Sequence, residues 1–476
     1  MRSTRQLVLA LALAFAGYVA LFVVMHFQSL GWSESPLRIF GEVAWWAPKH
    51  TTAGLQHGLL FGCVLALLGA GYLATLSAAA RTEPDLCTLV VAALACSLPL
   101  LVLPNLLSQD VHGYVVQGRI PVVYGGNPFF VAPSAYPDDP YVSAIFWKDA
   151  TTSYGPVWVY VSIALTWLVE LVGPSPAVYV LAYKLLALCL HLACGVLIWR
   201  IASDAIPRRR SLAAAIWLLN PLALIELVGN AHNDAVMTVL LLGGVRAAQR
   251  GRRWPAVALL ACAGLTKIYA FPIVALYGCV LVRRAPDRAD RLRIAGSATA
   301  IVAVVAVALY APWWRGISTL HDPSGPGASN SLAQLIGFVV VDFRSETVAF
   351  TAIPRTLAIA LLAVVVVGGL AAAWSARTWS SGLRSATWYV LVFCCFGAFW
   401  FWPWYAVFGV AFAALAAGNT VAARAAIALS LSALYLYVSW AIEPHAPELH
   451  RFRALFVFGP PAAIVLHHLV RRARAT

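Results

Sequence analysis

Apolar runs about twenty residues long, separated by short polar stretches, recur along almost the whole chain, and they restrict it to a bundle of bilayer-spanning helices. Hydrophobic residues make up 61% of the sequence and charged residues 11%. A soluble domain carries about 45–50% and about 25%, so a soluble enzyme, a disordered chain and a disulfide scaffold are all excluded. The alternating strands of roughly ten residues that a membrane β-barrel needs are absent. The net charge of +14 falls mostly in short connections between apolar segments, which points to orientation in the membrane rather than to nucleic acid. The nine cysteines lie in apolar segments without the spacing of a zinc or redox site and read as small core residues.

Orientation follows from the basic residues. Arg2 and Arg5 put the N-terminus in the cytoplasm, and segment 7–28 reads as a retained first helix rather than a cleaved signal peptide. Segments 54–80 and 86–107 return and exit, leaving loop 108–153 outside. If 154–172 and 176–199 both crossed, Arg200 and Arg208 to Arg210 would lie outside. We therefore expect 154–172 to be re-entrant or interfacial. Residues 255–282 have basic flanks at both ends and too little length for two full spans, so two short helices meeting near Thr266–Lys267 are expected. Continued to the basic tail, the scheme gives one all-α transmembrane domain over 1–476 with fourteen membrane helices, both termini in the cytoplasm, and a second large outer loop at 313–353. Of 19 acids, only Glu83, Asp85, Asp204, Asp287 and Asp290 fall inside. Acids hardly influence orientation, so their outward bias places the chemistry outside.

Two polar stretches carry that chemistry. Loop 108–153 begins with Asp110 at the outer end of an apolar helix and continues through Tyr114, Gln117-Gly118-Arg119 and Gly125-Gly126-Asn127-Pro128, a tight-turn signal, towards Ser153-Tyr154-Gly155-Pro156. The second stretch runs from Glu226 through Gly229-Asn230-Ala231-His232-Asn233-Asp234. Asn and Asp suit turns and N-caps, but Glu226 lies within a span, where acids are rare and face a cavity or a partner. Lys184 lies inside another span and Lys267 at the helix break, the latter reading as an anion ligand. Trp402-Pro403-Trp404-Tyr405 reads equally as an interfacial belt or as a sugar- or lipid-stacking site, and Trp45-Trp46 and Trp313-Trp314 as belt. Pro323 to Asn330 reads as flexible by composition.

Asp110 with Tyr114, Gln117-Gly118, Gly126-Asn127-Pro128, Ser153-Tyr154-Gly155-Pro156, Asn220-Pro221, Gly229-x-x-His232-Asn233-Asp234, Lys267 and Trp402-Pro403-Trp404-Tyr405 together resemble the GT-C superfamily of integral-membrane glycosyltransferases. Within it, the chain looks like the actinobacterial polyprenyl-phosphate-mannose-dependent α-(1→6)-mannosyltransferases that build lipomannan and related mannans. The resemblance spans roughly residues 100 to 410. It departs at one point: Val111-His112 follow Asp110 where some members carry paired, metal-binding acids. No cofactor is expected, with a divalent metal left open.

The resemblance implies a plasma-membrane hexosyltransferase whose outward site takes a polyprenyl-phosphate sugar and a glycan or glycolipid acceptor. Membrane lipids are its other partners, and nucleic acid is not one. It implies Asp110 as general base of an inverting transfer, and Lys267, with Lys184 or Arg119, opposite the leaving phosphate. Sugar or acceptor would meet His232, Asn233, Asp234, Glu226, Tyr114, Gln117, Asn127, Tyr154, Trp402, Trp404 and Tyr405. Rival readings are a transporter or flippase of a lipid-linked sugar, and a lipid-linked glycan polymerase or ligase.

Overall fold

The computed structural model describes residues 2–29, 53–103, 107–145, 147–320, 327–341, 351–352, 355–443 and 445–475. Hydrocarbon offers the backbone no hydrogen-bond partner, and the chain answers with helix after helix. They are α1 (Arg2–Ser29), α2 (Ala53–Thr82), α3 (Leu86–Val102), α4 (Asp110–Tyr124), α5 (Pro156–Val172), α6 (Pro176–Ala205), α7 (Arg210–Leu218), α8 (Pro221–Gly229), α9 (Asp234–Gln249), α10 (Arg253–Gly264) and α11 (Phe271–Arg284). They continue as α12 (Arg288–Tyr310), α13 (Leu332–Val341), α14 (Arg355–Ser375), α15 (Trp379–Val392), α16 (Val407–Leu415), α17 (Val421–Ser432), α18 (Tyr435–Ile442), α19 (Pro447–Arg451) and α20 (Arg453–Ala473). The strands among the described residues are two-residue β1 (Gly327–Ala328) and β2 (Thr351–Ala352), paired antiparallel.

Among the described residues, seven helical stretches are long and apolar enough to cross a bilayer: α1, α2, α6, α12, α14, the continuous Val421–Ile442, and α20. The α7–α8 pair, bent by 44°, makes an eighth if counted as one broken span. Each of the fourteen apolar segments expected from the sequence contains helix among the described residues. However, α3, α9, α10, α11, α15 and α16 have 17, 16, 12, 14, 14 and 9 residues, short of the roughly 20 a straight crossing needs. Helices α12 and α14 leave Val304, Val307, Val366 and Val367 exposed, a surface suited to acyl chains. Cys96, Cys194 and Cys394 are buried, but Cys63, Cys87 and Cys189 lie on outward faces and not in the core. A small apolar side chain is as compatible with lipid as with protein.

Three local expectations change. Segment 108–153 is not loop throughout, because α4 occupies its first third. Val111, Tyr114, Val115, Gly118 and Arg119 recur at helical spacing and are buried, packed on α5. Asp110 therefore sits in the first turn of α4 and not at the end of α3, which stops at Val102. In the second outer loop, Leu332–Val341 is helical. Ser329 and Asn330 are buried, and Ser329 exchanges backbone hydrogen bonds with Phe399 and Phe401 (2.8 and 3.0 Å). That pairing outweighs the flexibility their composition suggests. Trp45, Trp46, His321, Asp322, Asp342, Arg344 and Glu346 lie outside the described residues.

The centre of the molecule is the stretch from Asn220 to Thr238, buried throughout. Asn220 caps α8 by accepting from the Ala223 N–H (3.1 Å), while its amide donates to Ser430 Oγ (3.0 Å). α8 widens into a π-turn over Leu224–Gly229, a distortion frequent at functional sites. Beside it, α10 and α11 meet at a break. There the N–H groups of Gly155 and Val157 donate to the carbonyls of Thr266 and Leu265 (3.1 and 3.2 Å). A Cβ at position 155 would collide with the Leu265 carbonyl oxygen. Gly155→Ala is thus expected to push the start of α5 off the break and destabilise the protein by about 1–3 kcal/mol, the usual cost of overpacking. Thermal unfolding in detergent measures this, and an unchanged midpoint would refute the close approach.

Candidate active site

Three chain segments distant in sequence converge beside the break: the start of α4, the 226–234 turn, and residues 266–269. The Lys267 ammonium donates to Asp234 Oδ2 and the Tyr269 hydroxyl to Asp234 Oδ1, each at 2.6 Å. Asp234 is the first residue of α9, and this pair ties α9 to the break between α10 and α11. The Lys267 ammonium lies 5.6, 5.8 and 5.8 Å from the ring centres of Tyr154, Tyr269 and Tyr405, within cation–π range.

Tyr154 bridges to the next segment, its hydroxyl donating to Asp110 Oδ2 (3.3 Å). The Tyr114 hydroxyl lies 3.3 Å from His232 Nδ1, which is 3.7 Å from Asp110 Oδ2. On the far side of the imidazole, Nε2 sits 3.3 Å from Glu226 Oε2. Glu226 accepts hydrogen bonds from the Tyr437 hydroxyl (2.6 Å) and the Asn230 amide (2.9 Å). Asn230 Oδ1 in turn accepts from the Leu107 N–H (2.7 Å), anchoring the approach to α4. Trp404 stacks on His232 at 4.1 Å and 28°.

Access separates the three acids. The side chains of Glu226 and Asp234 are 0% exposed, and that of Asp110 is 18% exposed. Asp110 is thus the carboxylate of the cluster that an incoming molecule meets. Burial raises the pKa of the Tyr114 and Tyr154 hydroxyls well above the ordinary phenol value, so both remain protonated donors at neutral pH. Two residues along, burial pushes the His112 imidazole down to about 4 and keeps it neutral. Asn233 is 1% exposed with neither amide atom hydrogen-bonded among the described residues, and His232 Nε2 likewise lacks hydrogen-bond geometry. Buried amides seldom stay unpaired, and a polar ligand would satisfy this one. Among the described residues, no three His, Cys, Asp or Glu side chains are arranged to share a metal ion.

The cluster unites Asp110, Tyr114, Tyr154, Glu226, His232, Asp234, Lys267, Trp404 and Tyr405. Trp402 joins through its stack on Trp404 (5.3 Å, 2°), and Asn233 sits within the turn. Arg119 stands apart, held by Asp139 (2.8 Å) and in contact with Glu170, so that it fastens α4 to α5 and the following loop. Asn127 stabilises its own turn through the Phe129 N–H (3.0 Å) and donates to the Trp313 carbonyl (2.9 Å). Among the described residues, no hydrogen bond joins Gln117 Oε1 to the cluster. Lys184 donates to the Leu100 and Leu103 carbonyls (2.7 and 2.6 Å), closing the end of α3. From the sequence, no contact role is assigned to Tyr269 and Tyr437, and Asn230 is marked only as part of its polar turn. Tyr269 was detectable as a phenol beside a lysine at a helix break, but Tyr437, in an ordinary apolar span, carried no signal.

A helical membrane protein with a buried acid–imidazole–lysine cluster at a helix break is the class so defined. Residues 11–283 match the family model described as alpha-(1→6)-mannopyranosyltransferase, N-terminal domain, and the chain belongs to that family. It is 30% identical over 163 residues to a probable alpha-(1→6)-mannopyranosyltransferase of Mycolicibacterium smegmatis, covering 33% of this chain and 28% of that protein. It is 27% identical over 233 residues to alpha-(1→6)-mannopyranosyltransferase B of Corynebacterium glutamicum (44% and 37%). It is 30% identical over 225 residues to alpha-(1→6)-mannopyranosyltransferase A of Mycobacterium tuberculosis (45% and 42%). The matched stretches thus span less than half the length of these relatives.

Lys184→Met removes the donor from two buried carbonyls and is expected to cost about 1–3 kcal/mol of stability without changing KM for a sugar donor. A raised KM at unchanged stability would return Lys184 to the binding site.

Proposed function

We propose that the protein is an inverting membrane glycosyltransferase. It moves a mannosyl residue from a polyprenyl-phosphate sugar to a glycan or glycolipid acceptor on the extracytoplasmic face of the plasma membrane. In this reading both termini are cytoplasmic, the short helices complete fourteen membrane segments, and α5 stays on the outer side. The observation that carries the reading is the single solvent-reaching carboxylate, Asp110, in the same polar cluster as Lys267. The family match and the relatives' names support mannose as the sugar and α-(1→6) as the linkage.

The chemistry needs only one base. Asp110 takes the proton of the acceptor hydroxyl as that oxygen bonds to the anomeric carbon. The bond to the lipid phosphate breaks, and the phosphate leaves with the electron pair. A phosphate is a stable anion and needs no proton, so the second carboxylic acid used in glycoside hydrolysis has no counterpart task here. Lys267 has three N–H donors, of which Asp234 occupies one. The others offset charge growing on the phosphate. The acids in the cluster favour the positive, oxocarbenium-like sugar of the transition state. Inversion at a β-linked donor yields an α-mannoside. Glu226, fully buried, acts through His232, whose ring it and Trp404 hold beside Asp110.

Proteoliposomes given radiolabelled polyprenyl-phosphate-mannose and a short α-mannoside, with GDP-mannose as a parallel donor, test the reading. Transfer from the lipid donor alone is expected. Asp110→Asn should reduce it by about 10²–10⁴, and Lys267→Gln by about 10²–10³. Full activity in Asp110→Asn would remove Asp110 as the base, and transfer from GDP-mannose would remove the lipid donor.

A further inference from the structure

Helices α9 and α11 both begin at the cluster and lead away from it. From Asp234 to Gln249, α9 rises about 22 Å, and from Phe271 to Arg284, α11 rises about 20 Å. At their far ends they enclose, with the starts of α10 and α15, a cavity of about 380 Å³ lined by Gln249, Arg253, Tyr277, Val280, Arg284 and Trp379 among others. That volume lies within the roughly 300–1,000 Å³ of small-molecule sites. None of the lining residues is acidic.

Three donors at this cavity are uncommitted. The guanidinium groups of Arg253 and Arg284 have no carboxylate partner among the described residues, Arg253 resting only over the Trp254 ring at 5.3 Å. The Trp379 indole N–H is buried and unpaired, its ring edge-on to Tyr277 at 6.0 Å. A buried indole N–H seeks an acceptor, and paired guanidinium groups match phosphate oxygens in a planar, bidentate manner. Beside these donors, Tyr277, Val280 and Leu281 offer an apolar wall. An ion alone has no use for such a wall, whereas an amphiphile with an anionic head does. Basic pockets between membrane helices and tryptophans at the interface are where lipid headgroups sit.

We propose that this cavity binds the phosphodiester headgroup of an anionic membrane phospholipid, at the bilayer surface opposite the Asp110–Lys267 cluster. The lipid enters with its acyl chains towards the bilayer and its phosphate between Arg253 and Arg284, and the indole of Trp379 supplies the third hydrogen bond. The site is separate from the sugar donor's, and it ties the far ends of the two helices that frame the catalytic cluster.

The test uses the full-length protein in nanodiscs of equal phosphatidylglycerol and phosphatidylcholine, with retained lipid read by native mass spectrometry. Wild type is expected to retain phosphatidylglycerol on the order of tenfold over phosphatidylcholine. Arg253→Gln/Arg284→Gln should abolish the preference, and Trp379→Phe should reduce it several-fold while preserving the ring. Both arginines are exposed, so the double variant is expected to fold. Should it not, Arg284→Gln alone and Trp379→Phe carry the test. Equal retention of both lipids by wild type, or an unchanged preference in the variants, overturns the proposal. Displacement of the lipid by millimolar inorganic phosphate would overturn it as well, by making the site one for free anions.

Discussion

The polar cluster depends on one buried ion pair, Lys267 with Asp234 at 2.6 Å. Both side chains are out of water, at 7% and 0% exposure, so each would be costly alone. Removing one partner of such a pair typically costs about 3–5 kcal/mol. The pair fastens the first residue of α9 to the gap between α10 and α11, where a helix cannot satisfy its own backbone. Gly155 and Val157 fill the same gap with two N–H donors, which fixes Tyr154 over Lys267. Tyr154 then reaches Asp110. A break that would be a defect in a simple span thus becomes the point where three chain segments are held in register.

Glu226 obeys the same electrostatic logic with a different outcome. It lies fully buried in a π-turn and is tolerable there because Tyr437, Asn230 and His232 surround it. A satisfied polar network in a low-dielectric interior is rigid. It fixes the imidazole from one side as Trp404 covers a ring face. Two of the cluster's acids are thus enclosed and held by their partners, whereas the third, Asp110, stays partly open to solvent.

Helix was legible because apolar length alone dictates it, and the break at Thr266–Lys267 was legible because basic flanks at both ends could not be reconciled with a single span. The start of α4 was not. Gly113, Gly118 and Pro121 dilute its pattern, and its true partner, α5, is set by tertiary packing at Gly118, where a side chain would strike Thr166 and Ser162. Arg119 and Lys184 had the right charge for a phosphate site, but charge does not identify a partner. Glu170 lies fifty-one residues from Arg119, and the carbonyls of Leu100 and Leu103 lie over eighty from Lys184. Contacts at such separations come from the fold and leave no local trace in sequence.

The residues of the cluster divide by origin. Asp110, Tyr154, Glu226, His232, Asp234 and Lys267 all lie within the matched family region, 11–283. The aromatic surface against them comes from beyond it: Trp404 on His232, Trp402 on Trp404, and Trp440 on Trp402 at 6.1 Å. That wall is itself braced, since Trp440 donates to Asn330 (3.2 Å), which accepts from the buried Arg453 (2.7 Å). The carboxylates, imidazole and ammonium of the cluster therefore come from one part of the chain, and the indole stack that covers them from the other. A substitution in the wall changes what the cluster faces through packing, while the hydrogen bonds that position Asp110 and Lys267 remain those of the first part. The two parts are coupled where Trp404 stacks on His232, where the Tyr405 ring lies 5.8 Å from the Lys267 ammonium, and where the Tyr437 hydroxyl donates to Glu226 (2.6 Å).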